Sequence, residues 1–238
     1  MEQTRLNESA EYTARREELR LAEIELMRQR EQVAALRRAL PPGAVVEDYV
    51  FDEGPRDLAS GDAHVSEVRL TELFTDPGRA LVVYHLMYGK AQTTPCPMCT
   101  MWIDGFNGVA SHLAQNVDFV IAAAADPGPL RVHARSRGWY RLRLLSCAGN
   151  TFKYDLGSEG PDGSQHATVS VFTLDPDGSP RHVYTAHPDL AEDRKERGID
   201  LLSPVWHVLD LTPAGRGDWY ASLDYGAVPV SRLARPGP

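Results

Sequence analysis

The chain has 238 residues, 42% of them hydrophobic, and a formal net charge of -8. That length and apolar content supply one large domain with extensions, and the acidic balance argues against nucleic acid or an anionic membrane as the main partner. No stretch approaches the roughly 20 uninterrupted apolar residues of a membrane span, and three cysteines are too few for a disulfide scaffold. The opening Met1-Glu2-Gln3-Thr4-Arg5 has no apolar segment of the signal-peptide kind, so a cytoplasmic location with reduced thiols is expected.

Residues 9–40 read as one long helix, rich in Glu and Arg and free of Gly and Pro. Leu19, Leu26, Val33 and Leu40 repeat at heptad spacing, with Ala22 and Leu36 on the adjoining row. One reading is an arm that pairs two copies of the chain as a homodimer. The other, preferred because Gln29 interrupts the second row, is a helix lying across its own domain. Pro41-Pro42-Gly43 closes the segment.

Residues 45–76 give weak signals: a turn at Phe51-Asp52-Glu53-Gly54-Pro55, an alternating edge strand at 65–70 and a helical turn at 70–74. Residues 80–88 are almost continuously apolar, as in a strand covered on both faces. Between 101 and 115, Trp102, Phe106, Val109, Ala110 and Leu113 recur at helical spacing and should face a sheet. A second buried strand at 117–125 is broken by Asp126-Pro127-Gly128-Pro129. A short basic helix at 130–137 ends at Gly138, and 140–145 alternates as a third strand. Strand–helix repeats of these lengths make a parallel sheet.

Residues 157–165 form a loop. The runs 167–174 and 181–185 bracket Asp175-Pro176-Asp177-Gly178 as an antiparallel hairpin. Residues 188–197 read as a charged, exposed helical piece, and 201–211 as a mixed segment carrying Trp206 and His207. The organisation expected is a helical arm (1–42), an α/β domain (43–225) and a disordered tail (226–238).

The chemistry concentrates in Thr94-Pro95-Cys96-Pro97-Met98-Cys99-Thr100, between a buried strand and a helix. A proline at the first helical position loses no useful hydrogen bond. This spacing makes Cys96 an exposed cap, with its sulfur facing free backbone N–H groups that favour the thiolate. Cys99, on the same helical face one turn deeper, is placed to resolve a mixed disulfide. Two soft thiolates at this spacing also suit zinc or Cu(I), and a pair of inert structural thiols is the third possibility.

Other candidates are weaker. Cys147 reads as a buried core thiol, or alternatively as a remote resolving cysteine or third metal ligand. His85, on the strand before the motif, reads as a core histidine with a secondary claim to the site. Trp102 lines the mouth of the site or packs in the core. Asp104 moves protons for the buried thiol or bonds locally, and Lys90 is a loop charge near Cys96. His112 meets the C-terminal dipole of its helix. Arg131, Arg135, Arg137, Arg141 and Arg143 read as a solvated basic face.

The order of elements resembles the thioredoxin-like fold, with a region between the cysteine helix and the hairpin similar to peroxiredoxin and Sco proteins. More closely, several stretches resemble the bacterial domain-of-unknown-function family 899, catalogued as predicted dithiol–disulfide oxidoreductases. They are Tyr84-His85-Leu86-Met87-Tyr88-Gly89, Cys96-Pro97-Met98-Cys99-Thr100 with Trp102, Gly138-Trp139, Ser170-Val171-Phe172 and Leu209-Asp210-Leu211-Thr212-Pro213-Ala214-Gly215-Arg216. The resemblance implies an α/β, three-layer thioredoxin-like domain with a mixed central sheet. It implies an oxidoreductase with Cys96 and Cys99 catalytic, no required cofactor and a small thiol, disulfide or other small-molecule substrate. Trp102, His85 and His166 are the candidate substrate contacts.

At the place of the thioredoxin cis-proline this chain reads Ser164-Gln165-His166-Ala167-Thr168, with no proline. The same segment is similar to the histidine-bearing strand of Sco proteins, which implies an alternative Cu(I) site, or less aptly a zinc site, of Cys96, Cys99 and His166. A non-catalytic scaffold assembled through residues 9–40 is the remaining reading.

Overall fold

A computed structural model describes residues 7–192 and 197–225. The chain divides into two compact units, Met1–Gly43 and Ala44–Pro238. The first is a single helix, α1 (Ala10–Arg38), capped by Ser9, whose Oγ accepts the Tyr12 N–H at 3.1 Å. Exposed Arg15–Glu18 and Arg20–Glu17 pairs one turn apart line its surface and add little stability each. No residue of α1 is buried, and Leu19, Leu26 and Val33 are all exposed.

The second unit is built on a seven-stranded sheet of β1 (Val50–Glu53), β2 (Ser66–Arg69), β3 (Leu81–Gly89), β4 (Asp118–Ala124), β5 (Arg143–Ser146), β6 (Thr168–Leu174) and β7 (Pro180–Ala186). Its order is β2-β1-β5-β4-β3-β6-β7. The pairs β3–β4 and β4–β5 are parallel and the others antiparallel, so the sheet is mixed. Between the strands run α2 (Pro97–Leu113), α3 (Pro127–Arg137), α4 (Phe152–Asp155) and, after β7, α5 (Pro204–Asp210). Strand β4 lies at the centre with β3 beside it, and the cysteine helix follows β3. This is the thioredoxin-like, three-layer α/β arrangement.

Side chains alternate across β3 and so divide the core in two. Tyr84 and Leu86 join α2, α3 and α5 through Trp102, Ile103, Phe106, Leu130 and Trp206. On the other face Leu81 and Val83 join Phe51, Leu70, Leu73, Phe152 and Phe172. Burial on both faces explains why β3 and β4 read as continuous apolar runs.

Several local expectations change. Val50–Glu53 is a strand rather than a turn, because Phe51 and Glu53 point inward and Glu53 is held by Arg143 at 2.8 Å. The Asp126-Pro127-Gly128-Pro129 run starts α3 instead of only breaking β4: both prolines fall in the first turn, where no intrahelical donor is lost. The third strand begins at Arg143, leaving Tyr140 exposed. Val109 lies on the flank of the buried stripe of α2 and is exposed. Residues 188–192 are not helical; 193–196, within that expected piece, and the tail 226–238 lie outside the described residues.

Apart from Arg141, which is exposed, the arginines are not a solvated face. Arg131 is buried and donates to Asp62 at 2.6 Å and to the carbonyls of Pro55, Asp57 and Ser60. Arg135 grips the same Asp62, Arg137 pairs with Asp104 and Arg143 with Glu53. Carboxylates and loop carbonyls take up their donors: Arg131 and Arg135 pin the loop after β1, Arg143 ties β5 to β1, and Arg137 ties α3 to α2.

Candidate active site

Strand β3 delivers the site through an irregularity. Its parallel register with β4 runs to Leu86↔Ala123 and resumes at Gly89↔Ala124, so Met87 and Tyr88 are left out of the ladder. Gly89 then turns with φ 104°, and a Cβ there would fall 2.1 Å from the Ala124 carbonyl carbon; only glycine fits. The freed Met87 carbonyl accepts the Cys96 N–H at 3.0 Å, which fixes the loop at the mouth of α2.

Cys96 is the N-cap of α2 and Pro97 the first helical residue. The Cys96 sulfur accepts the Cys99 backbone N–H at 3.4 Å. The neighbouring Cys99 thiol, Met98 N–H and Tyr220 hydroxyl favour its thiolate as well. These donors, led by the Cys99 thiol, outweigh burial and draw the Cys96 thiol down to about 6. Cys99 goes the opposite way. Burial and the neighbouring Cys96 thiolate push it well above its ordinary value, partly opposed by the Tyr84 hydroxyl and the Met87 N–H. The motif thus separates one acidic thiol from one strongly protonated one.

Cys96 is not exposed, as its cap position suggested, but 6% accessible. Its sulfur meets a cavity of about 440 Å³ lined by Met98, Trp102, His166, His187, Ile199 and Tyr220, among others. The chain after β7 builds one side of this cavity. Arg216 donates to Asp200 at 2.7 Å and Asp210 at 3.0 Å and stacks on buried Trp206. That clamp holds Ile199, whose carbonyl receives the Trp102 indole N–H at 3.3 Å, and Tyr220 beside the cysteine.

Cys96, Cys99, Trp102 and His166 therefore share one cavity. His85 does not. It faces the opposite side of the sheet, stacked on Phe152, with Nε2 and the Ser170 hydroxyl at 2.9 Å; the alternation of β3 sends it away from the cysteines. Burial, reinforced by the Lys153 charge, lowers its pKa and keeps it neutral.

The three-ligand copper or zinc site does not fit. His166 is an exposed residue on the loop before β6, and among the described residues no group of three or more His, Cys, Asp and Glu is placed to hold a metal. Cys147 is buried, its thiol donating to the Ala123 carbonyl at 3.1 Å, and burial pushes it up to about 11. It does not line the cavity. Asp104 does not bond locally: it accepts from Arg137 and from the Trp139 indole at 2.8 Å, residues more than thirty positions on. Lys90 is committed to Glu159 at 2.6 Å, and Glu159 also receives the Gln165 amide.

Two residues beside the sulfurs carried no sequence signal of their role. Tyr84 sits inside an apolar run and Tyr220 lies far along the chain. Only the folded chain brings them there, as it brings Lys153 to the Leu86 carbonyl behind the sheet.

Over residues 1–227 the chain matches the model of a family described as bacterial protein of unknown function (DUF899). It is a member of that family. No curated protein matches. Among solved structures, the chain is similar to peroxidoxin BcpB from Mycobacterium tuberculosis, at 18% identity, 68% of this chain, 94% of that chain and TM-score 0.46. It is also similar to reduced 2-Cys peroxiredoxin from Plasmodium vivax, at 11% identity, 70% and 97% coverage and TM-score 0.47. A peroxiredoxin-like protein from Aquifex aeolicus matches at 16% identity, 61% and 75% coverage and TM-score 0.43. Among the described residues no helix is long and apolar enough to cross a membrane.

Proposed function

We propose that this member of the family is a thiol–disulfide oxidoreductase acting on small disulfides. The observation that carries the reading is the split between the sulfurs: an acidic Cys96 opening on a cavity, and a protonated Cys99 beneath it. The Cys96 thiolate attacks one sulfur of the substrate disulfide; a mixed disulfide forms and the other half leaves as thiolate. Cys99 then loses its proton and attacks the Cys96 sulfur. The second half leaves as thiol, and the chain keeps a Cys96–Cys99 disulfide. The substrate gains two electrons and two protons; the dithiol loses both.

A small substrate is favoured because the sulfur lies at the floor of a cavity with 6% residual exposure, where a disulfide on a folded protein surface has no approach. The test is to mix the reduced protein with 2-hydroxyethyl disulfide, count released thiol and map the products by mass spectrometry. Expected are two thiols per chain for the wild type, none for Cys96→Ser, and arrest at a mixed disulfide for Cys99→Ser. Thiol release by Cys96→Ser equal to wild type overturns the assignment.

A further inference from the structure

The buried lysine on the far side of the sheet has no place in the dithiol chemistry as written, yet it is coupled to it by one peptide group. Lys153, on α4, is 1% exposed and belongs to the face opposite the cysteine helix, beside Phe152 and Cys147. Among the described residues no carboxylate pairs with it. Its ammonium donates to the Leu86 carbonyl at 2.8 Å. That carbonyl is available because the β3–β4 register breaks just after Leu86. The N–H of the same peptide, on Met87, points the other way, and Met87 lines the cavity wall with Cys99, where that N–H favours the Cys99 thiolate.

We infer that Lys153 is a positioning residue for the second half-reaction, acting on Cys99 through the Leu86–Met87 peptide. A cation on the carbonyl oxygen polarises the peptide and strengthens the N–H as a donor, because hydrogen bonds in series reinforce one another in a low-dielectric interior. The charge favours a thiolate on Cys99 at the moment it must attack. A buried unpaired ammonium is costly, and burial lowers Lys153 to about 8, so the charged form still dominates at neutral pH. The other titratable groups facing it are His85 on β3, Cys147 just after β5, and Glu159 and Lys90 on the flanking loops. Cys99 itself faces Cys96 and Tyr84.

The inference rests on the dithiol reading, and the experiment separates the two. The aromatic disulfide 5,5′-dithiobis(2-nitrobenzoate) releases one coloured thiolate when Cys96 attacks and a second when Cys99 resolves the mixed disulfide. Stopped-flow absorbance therefore reads the steps apart. Lys153→Met should leave the first phase unchanged, slow the second about tenfold at pH 7 and move its pH midpoint up by about one unit. Lys153→Gln keeps a donor for the Leu86 carbonyl without the charge, serves if the Met variant does not fold, and should show the same displaced midpoint. A second phase with wild-type rate and midpoint in either folded variant overturns the inference while leaving the dithiol reading intact. A wild type that releases only one thiolate overturns both.

Discussion

Removing the Cys99 thiol is the sharpest probe of what makes Cys96 acidic. A thiol that ordinarily titrates at about 8.5 is drawn to about 6, a preference for the thiolate of ~3 kcal/mol. The largest contribution is the Cys99 S–H, followed after the opposing effect of burial by the N–H groups of Cys99 and Met98 and by the Tyr220 hydroxyl. A hydrogen bond to a charged group contributes about 1.5–3 kcal/mol, so Cys99→Ala, which keeps the backbone N–H, should raise the Cys96 midpoint to about 7–8. At pH 6 its alkylation by iodoacetamide should then fall about five- to fiftyfold relative to wild type. The assay is the pH dependence of alkylation, with the modified cysteine mapped by mass spectrometry. Tyr220→Phe should move the midpoint less. A Cys99→Ala midpoint that stays at about 6 refutes the reasoning, because the acidity would then come from backbone donors alone.

Two further outcomes follow from the same geometry. In the reduced state the native Cys96 thiol titrates at about 6 and the unfolded one at about 8.5, so between these values the unfolded chain holds a proton the native chain has released. Stability should therefore rise with pH through that window and be lost below it. The unfolding free energy of wild type minus that of Cys96→Ala should grow by about 3 kcal/mol across it in denaturant titrations; a constant difference counts against the shift. Gly89→Ala combines a positive φ of 104° with a Cβ 2.1 Å from Ala124, and should cost about 2–5 kcal/mol in thermal unfolding and slow Cys96 alkylation by displacing the loop. A variant as stable and reactive as wild type would show that the turn is not constrained.

The central elements were legible because their signals are local. The continuous apolar run of β3, the Cys96-Pro97 helix start and the Asp-Pro-Asp-Gly hairpin each state their structure within a few residues. Strand β1 was not legible: four residues with an inward Glu53 look like a turn until Arg143, ninety positions on, neutralises the carboxylate. The pairing of Cys96 with Cys99 followed from spacing, whereas the burial of Cys96 did not. That depends on Tyr220 and Ile199, which the Arg216 clamp brings over the helix from the end of the chain. His85 was placed near the site by proximity in sequence and removed from it by the two-residue alternation of a strand.

What the sequence determines by itself is the strand–motif–helix order and the identity of the two sulfurs, because capping and hydrophobic period act over one or two turns of chain. What only the tertiary structure decides is which side chains set the acidity of the two sulfurs, how far they are buried, what reaches them and what lies behind them. Those depend on Tyr84, Tyr220 and Lys153, whose roles come from long-range packing and from a dielectric that exists only once the core has closed.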